Sequence, residues 1–214
     1  MSTWPDDPRA RALLVISETL RYPDEHLLAR RDLLTDVAAS LPTSSAGTRK
    51  PLLRFLGWFR NAEPFALARH YVEMFDLRRK SSLYLTYYLH GDTRRRGMAL
   101  LTLKQTYRAT GLVPPEDELP DYLPLVCEFA ATARRGETPL RQHRAGIELI
   151  RTALCDSGSP YADVLDALAA LLPTLSTSEY GRVADLAADG PPTEQVGLAP
   201  FAPPEYLAGM EIRA

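Results

Sequence analysis

Apolar positions recur with helical spacing along almost the whole chain. Asp7-Pro8 predicts a helix start, because proline suits the first helical position. Leu13, Leu14, Ser17 and Leu20 follow that spacing as far as Tyr22-Pro23. Asp24 is a candidate cap for a second helix carrying Leu27, Leu28, Leu33, Leu34 and Val37. Residues 42–49 (PTSSAGTR) read as a loop and residues 51–59 as a short apolar helix with Trp58. Glu63-Pro64 opens the next helix. Arg69, His70, Glu73 and Asp76 fall on one side of it, and Phe65, Ala68, Tyr71, Val72, Met74 and Phe75 cover the rest. That distribution predicts a broad buried face.

The second half continues in the same way. Residues 83–90 predict a helix with Tyr84, Tyr87 and Tyr88 at i, i+3 and i+4, broken by Gly91-Asp92. Thr93 precedes a helix holding Leu100, Leu103 and Tyr107, with Gly111 in the terminating role. Helices are predicted over residues 120–132 and 139–155, then from Tyr161 through Val164, Leu165, Leu168 and Leu172, with a further short one over 179–188. No convincing period-two strand and no internal repeat is present in the sequence. Six of the 18 prolines follow residue 172, which points to an extended or disordered end. The expected architecture is all-α: a single-domain helical bundle over residues 1–172, and a C-terminal tail over 173–214 that is partly helical, then extended.

Composition narrows the function classes. At 214 residues, 45% apolar and 24% charged, the chain reads as an ordinary globular protein with a sizeable core. A net charge of −2 argues against a general nucleic-acid binder. Two cysteines form neither a disulfide framework nor a zinc site, so a reducing cytoplasm is the expected compartment. The first residues lack the pattern of a secretory signal, and no apolar run approaches a membrane span, so no direct membrane insertion is expected.

Catalytic templates are missing. There is no GxGxxG, no P-loop and no GxSxG elbow. His26, His70, His90 and His143 are scattered, and Cys127 lies on an apolar stripe as a small buried hydrophobe. No catalytic and no metal-binding residue is named, and no enzyme activity is expected. Asp121 and Glu128 are seven apart on the helix expected over 120–132, on one line with Leu125 between them. Two acids around an apolar spot suit a basic amphipathic peptide, but an acid in a first helical turn is also favoured by the helix dipole alone.

Residues 69–98 are the richest in aromatics and charge. They hold Tyr71, Phe75, Tyr84, Tyr87 and Tyr88 with the triplets Arg78-Arg79-Lys80 and Arg94-Arg95-Arg96. One reading is a helical nucleic-acid-binding regulator that uses the triplets. The other pairs the arginines with acids such as Asp76 or Asp92, or with aromatic faces, and is favoured.

The stretch YVEMFDLRRKSSLYLTYYLHGDTRRRG, residues 71–97, closely resembles the signature of NarJ-type proteins, the delta subunits encoded with respiratory nitrate reductases. LPDYLPLVCEFAA, residues 119–131, resembles the Pro-Asp-x-Leu…Glu-Phe segment of the wider group of molybdoenzyme chaperones that includes TorD and DmsD; Cys127 stands where leucine is commoner. GPPTEQVGLAPF, residues 190–201, resembles the Gly-Pro-Pro tail of NarJ, and Tyr22-Pro23 also matches. The resemblance implies a non-catalytic, cytoplasmic assembly chaperone for respiratory nitrate reductase. Its partner would be the N-terminal segment of the apo catalytic (alpha) subunit, held until the molybdenum cofactor and iron–sulfur clusters are inserted, before membrane docking. Those cofactors belong to the client, and none is expected to stay on the chaperone.

The expected recognition is an amphipathic client helix in a groove. Tyr71, Phe75, Tyr84, Tyr88, Leu125 and Phe129 are the candidate walls, with Asp121 and Glu128 facing basic client residues. The tail, with Phe201, Tyr206, Leu207, Met210 and Ile212, is a candidate competitor for that groove.

Overall fold

A computed structural model describes residues 4–190. The expected tail competitor lies outside these residues. Among them the architecture is all-α, with one isolated antiparallel bridge between Tyr84 and Tyr122.

Helix α1 (Pro8–Thr19) starts where Asp7 predicts: the Asp7 carboxylate accepts the N–H groups of Arg9 and Ala10. Leu13, Ile16 and Leu20 are buried from this segment, against Leu123, Val126 and Cys127 of α8 (Leu123–Thr132) and against α4 (Ala46–Asn61) and α11 (Tyr161–Leu171). Ser17 donates to the Pro124 carbonyl at 2.8 Å, tying α1 to the first turn of α8. Each fully buried leucine or phenylalanine in this layer contributes about 1.5–3 kcal/mol before entropy is subtracted.

The segment after Asp24 is two helices, α2 (Glu25–Ala29) and α3 (Arg31–Ala39), interrupted at Arg30. The region read as a loop at 42–49 is instead a 3₁₀ turn (Thr43–Ser45) and the first turn of α4. Burial of Thr48 and the fit of Gly47 against Ala170 of α11 hold this turn helical. Pro51 lies inside α4, so it leaves only the Gly47 carbonyl without its helical donor.

Helix α5 (Pro64–Tyr71) passes into a π turn, Val72–Asp76, closed by Leu77 N–H to Val72 O at 3.0 Å. The extra residue per turn turns the neighbouring Met74 and Phe75 both inward. A 3₁₀ turn (Arg79–Ser81) leads to α6 (Leu85–His90) and α7 (Arg94–Ala109). The helix expected over 139–155 is split at His143 into α9 (Thr138–Gln142) and α10 (Arg144–Asp156). Helix α12 (Thr177–Asp189) has a reciprocal cap between Ser176 and Glu179 and packs on α10.

Two glycines are required by close approach. A Cβ on Gly146 would lie 3.1 Å from the Tyr88 ring, so glycine lets α6 press onto α10. A Cβ on Gly136 would lie 2.3 Å from the Phe129 carbonyl oxygen.

Candidate functional site

The helix expected over 120–132 begins only at Leu123, and Asp121 precedes it. Backbone bonds explain the difference. Leu85 N–H donates to Asp121 O at 3.0 Å and Leu123 N–H to Leu83 O at 2.8 Å, so residues 121–123 run extended beside 83–85. Asp121 is fully buried, and one of its oxygens accepts both the N–H and the hydroxyl of Thr86. It therefore shares no exposed line with Glu128, which pairs with Arg21 at 2.8 Å. Leu125 and Phe129 lie under α7: with Leu103 and Tyr107 they form a small cluster apart from the main core, the Tyr107 and Phe129 rings 4.3 Å apart. Tyr88 packs on Gly146 and donates to the carbonyls of Lys80 and Ser82.

Three of the sequence-identified residues do meet at one surface feature. Tyr71, Phe75 and Tyr84 line a pocket of about 200 Å³ together with Tyr22, Leu83, Tyr122, Asp76 and Glu118. The Tyr22 and Tyr71 rings meet edge to face at 5.6 Å, while the Tyr71–Phe75 pair at 4.9 Å and the Tyr84–Tyr122 pair at 5.5 Å are tilted. At the floor the Tyr71 and Tyr122 hydroxyls are 3.0 Å apart, and Tyr71 donates to the Leu20 carbonyl. At the rim Tyr84 donates to Glu118 at 3.1 Å. Burial pushes the Tyr71 hydroxyl far above the ordinary tyrosine value, with Tyr122 and Asp76 adding to the shift. Burial also raises Tyr122; the Tyr71 hydrogen bond opposes that shift, and the charges of Glu118 and Asp76 add to it. Asp76 is itself raised by burial.

Tyr22, Tyr122 and Glu118 were not among the sequence-identified site residues. Tyr22-Pro23 and the Leu-Pro-Asp-Tyr run marked the positions, but nothing local showed that they converge. A neighbouring depression of about 410 Å³ shares Phe75, Asp76 and Tyr84 and adds Arg78, Arg79 and Arg96. Another, of similar size, takes Arg79, Lys80, Tyr87 and Tyr88 to α10 and α12. Residues 71–88 thus border a trough made of three neighbouring depressions that share lining residues.

The triplets have acidic neighbours. Arg96 pairs with Asp92 at 3.0 Å and its guanidinium carbon lies 6.0 Å from the Tyr87 ring centre; Arg78 pairs with Glu73 at 3.3 Å. Asp92 therefore offsets the second triplet as expected, whereas Asp76 has no ion-pair partner among the described residues. A basic face without acids, the feature a nucleic-acid reader needs, is not what these pairs form.

Cys127 is fully buried and its thiol is pushed up by burial, as suits a small core side chain rather than a nucleophile. Among the described residues no group of three or more His, Cys, Asp or Glu is arranged to hold a metal ion. No described helix is long and apolar enough to cross a membrane.

Fold and site together define an all-helical protein whose surface is organised around a tyrosine-walled trough. The chain belongs to the nitrate reductase delta subunit family, whose profile matches residues 39–167. It is 36% identical over 166 residues to the probable nitrate reductase molybdenum cofactor assembly chaperone NarJ of Bacillus subtilis, covering 77% of this chain and 89% of that relative. The NarJ chaperone of Escherichia coli K12 is 33% identical over 187 residues, or 84% of this chain and 78% of its own. A 44% identity over 155 residues links it to the nitrate reductase-like protein NarX of Mycobacterium tuberculosis, where 71% of this chain spans only 23% of the relative.

Proposed function

We propose that this chain is a dedicated, non-catalytic chaperone for assembly of respiratory nitrate reductase. The observation that carries this reading is its similarity, over most of both chains, to the Bacillus subtilis and Escherichia coli proteins named as nitrate reductase molybdenum cofactor assembly chaperones. In the cytoplasm it binds the N-terminal segment of the apo catalytic subunit, keeps that subunit open to molybdenum cofactor insertion, and leaves before membrane docking. The cofactor and the iron–sulfur clusters are carried by the client.

The trough supports this reading by its chemistry. Aromatic walls with polar tips suit an amphipathic helix, whose apolar anchors supply most of the affinity. Tyr71, Phe75 and Tyr84 are the walls at one end and Tyr88 belongs to the other; Leu125, Phe129, Asp121 and Glu128 support the helices behind them. Residues 1–172 act as the chaperone domain, with the tail from residue 173 attached through α12.

The test is a pull-down with the full chain from cells expressing a nitrate reductase operon without cofactor synthesis. The apo catalytic subunit should co-purify, and removal of its N-terminal segment should abolish capture. Capture that persists without that segment sinks the N-terminal assignment, and absence of the subunit sinks the chaperone reading.

A further inference from the structure

We infer that the outward face of α7 lies on the anionic lipid surface of a bilayer. Met98 and Leu101 enter the headgroup layer, and Arg95, Lys104 and Arg108 meet lipid phosphates. This goes beyond the chaperone reading and does not rest on it.

Helix α7 is held by little. Of its 16 residues only Leu103 and Tyr107 are buried. It carries five cations, Arg94, Arg95, Arg96, Lys104 and Arg108, and no acid, although the whole chain has a net charge of −2. Asp92 offsets Arg96. Among the described residues Arg95, Lys104 and Arg108 form no ion pair. The first acids after the helix are Glu116, Asp117 and Glu118, in the loop beyond Gly111, and Glu118 accepts from the Tyr84 hydroxyl.

Large apolar side chains stand among these cations. Met98 is 66% exposed and Leu101 46%. Arg95 is three residues before Met98, Lys104 three after Leu101, and Arg108 seven after it. At 3.6 residues per turn, cations therefore flank the two apolar residues on both sides. Beside Met98 the surface opens into a hollow of about 590 Å³ between α7 and α9, walled by Leu89, Ala99, Leu103 and Pro139. The loop leaving α7 exposes Leu112 and Val113 as well.

Exposed apolar residues between basic ones are the pattern of a helix lying in a bilayer interface. Its apolar side chains reach the acyl boundary while its cations stay at the phosphates. A nucleic-acid backbone would engage the cations but offer nothing to Met98 and Leu101. The tyrosine-walled trough opens elsewhere: Arg96, which lines it, lies about 160° around the helix from Met98. A bound polypeptide and a bilayer therefore occupy different sides of α7.

The test is co-sedimentation of the full chain with large vesicles, either phosphatidylcholine alone or an equal mixture with phosphatidylglycerol. The protein should sediment with the anionic vesicles only, and detach in about 0.5 M salt, where surface charge is screened. Each basic residue near an anionic surface strengthens attachment about fivefold, so Arg95→Gln/Lys104→Gln/Arg108→Gln should weaken it about a hundredfold. Met98→Ser/Leu101→Ser keeps every charge and should weaken it about tenfold, through lost apolar burial. Circular dichroism checks that both variants stay helical, and the comparison of the two vesicle types needs no variant. Equal sedimentation with both vesicle types, or with neither, overturns the inference. So does unchanged binding of the serine variant, which would leave charge attraction without an interfacial contact. Tighter binding of the wild-type chain to labelled duplex DNA than to the anionic vesicles, at equal salt, overturns it in favour of a nucleic-acid face.

Discussion

Asp121 accepts hydrogen bonds from both the N–H (3.0 Å) and the hydroxyl (2.5 Å) of Thr86, which locks the entry to α8 onto the first turn of α6. Both residues are fully buried. The second carboxylate oxygen of Asp121 is buried without a partner among the described residues. Asp121→Ala should therefore cost about 2–4 kcal/mol, because two buried donors lose their acceptor. Asp121→Asn keeps one acceptor oxygen facing Thr86 and should cost less than half as much. Urea denaturation of the two variants checks the order; equal losses would show that the negative charge, not the acceptor, is what Thr86 requires.

Gly136→Ala should destabilise by about 1–3 kcal/mol, the range for overpacking. The new Cβ would meet backbone, the Phe129 carbonyl oxygen at 2.3 Å and the Ala130 Cα at 3.0 Å. Backbone at a helix end cannot rotate away as a side chain does. Thermal unfolding followed by circular dichroism reads the effect, and a neutral outcome would mean that the turn after α8 relaxes freely.

Phe129→Ala should loosen α7 more than the rest of the molecule. Phe129 and Leu125 hold α7 through Leu103 and Tyr107, in a cluster separate from the main core. The loss should be about 3–4 kcal/mol, the lower part of the range for Phe→Ala core changes. Hydrogen exchange should show α7 amides losing protection while those of α1, α4 and α11 change less. A uniform loss would mean that α7 opens only with the whole domain.

Stability should fall as the pH drops below about 6.5. Burial holds both His143 and His70 below the ordinary histidine value of 6.5. For His143 the Pro139 carbonyl and Asp121 oppose that shift and His90 adds to it; for His70, Glu73 opposes it and Arg78 and Arg69 add to it. A lowered pKa means that the unfolded chain binds more protons than the folded one in this window. The histidine contribution is thus complete above 6.5 and is lost as pH falls towards the folded values. Imidazole titration by NMR tests the assignment directly. Both rings should titrate below 6.5, and the urea midpoint should drop between pH 7.5 and 5.5.

The all-helical class was legible in the sequence, because an amphipathic stripe at three- and four-residue spacing needs no distant information to be read. So were the starts at Asp7 and Asp24, where a local side chain accepts local N–H groups. Breaks at Arg30 and His143, and the helical turn before Pro51, were not legible, since packing on other helices decided them.

For the site, residues 71–97 marked the right region but not the right walls. Tyr71, Phe75 and Tyr84 meet Tyr22 and Tyr122 only because α1, the π turn and the extended run before α8 converge. Their separation in the chain is too large for any periodic pattern to record. Asp121 shows the same limit from the opposite side. In sequence it reads as an acid in a first helical turn; its burial follows from backbone bonds to Leu83 and Leu85. Spacing along the chain determines which residues share a face, and only the tertiary structure decides what that face meets, because burial and hydrogen-bond partners come from other segments.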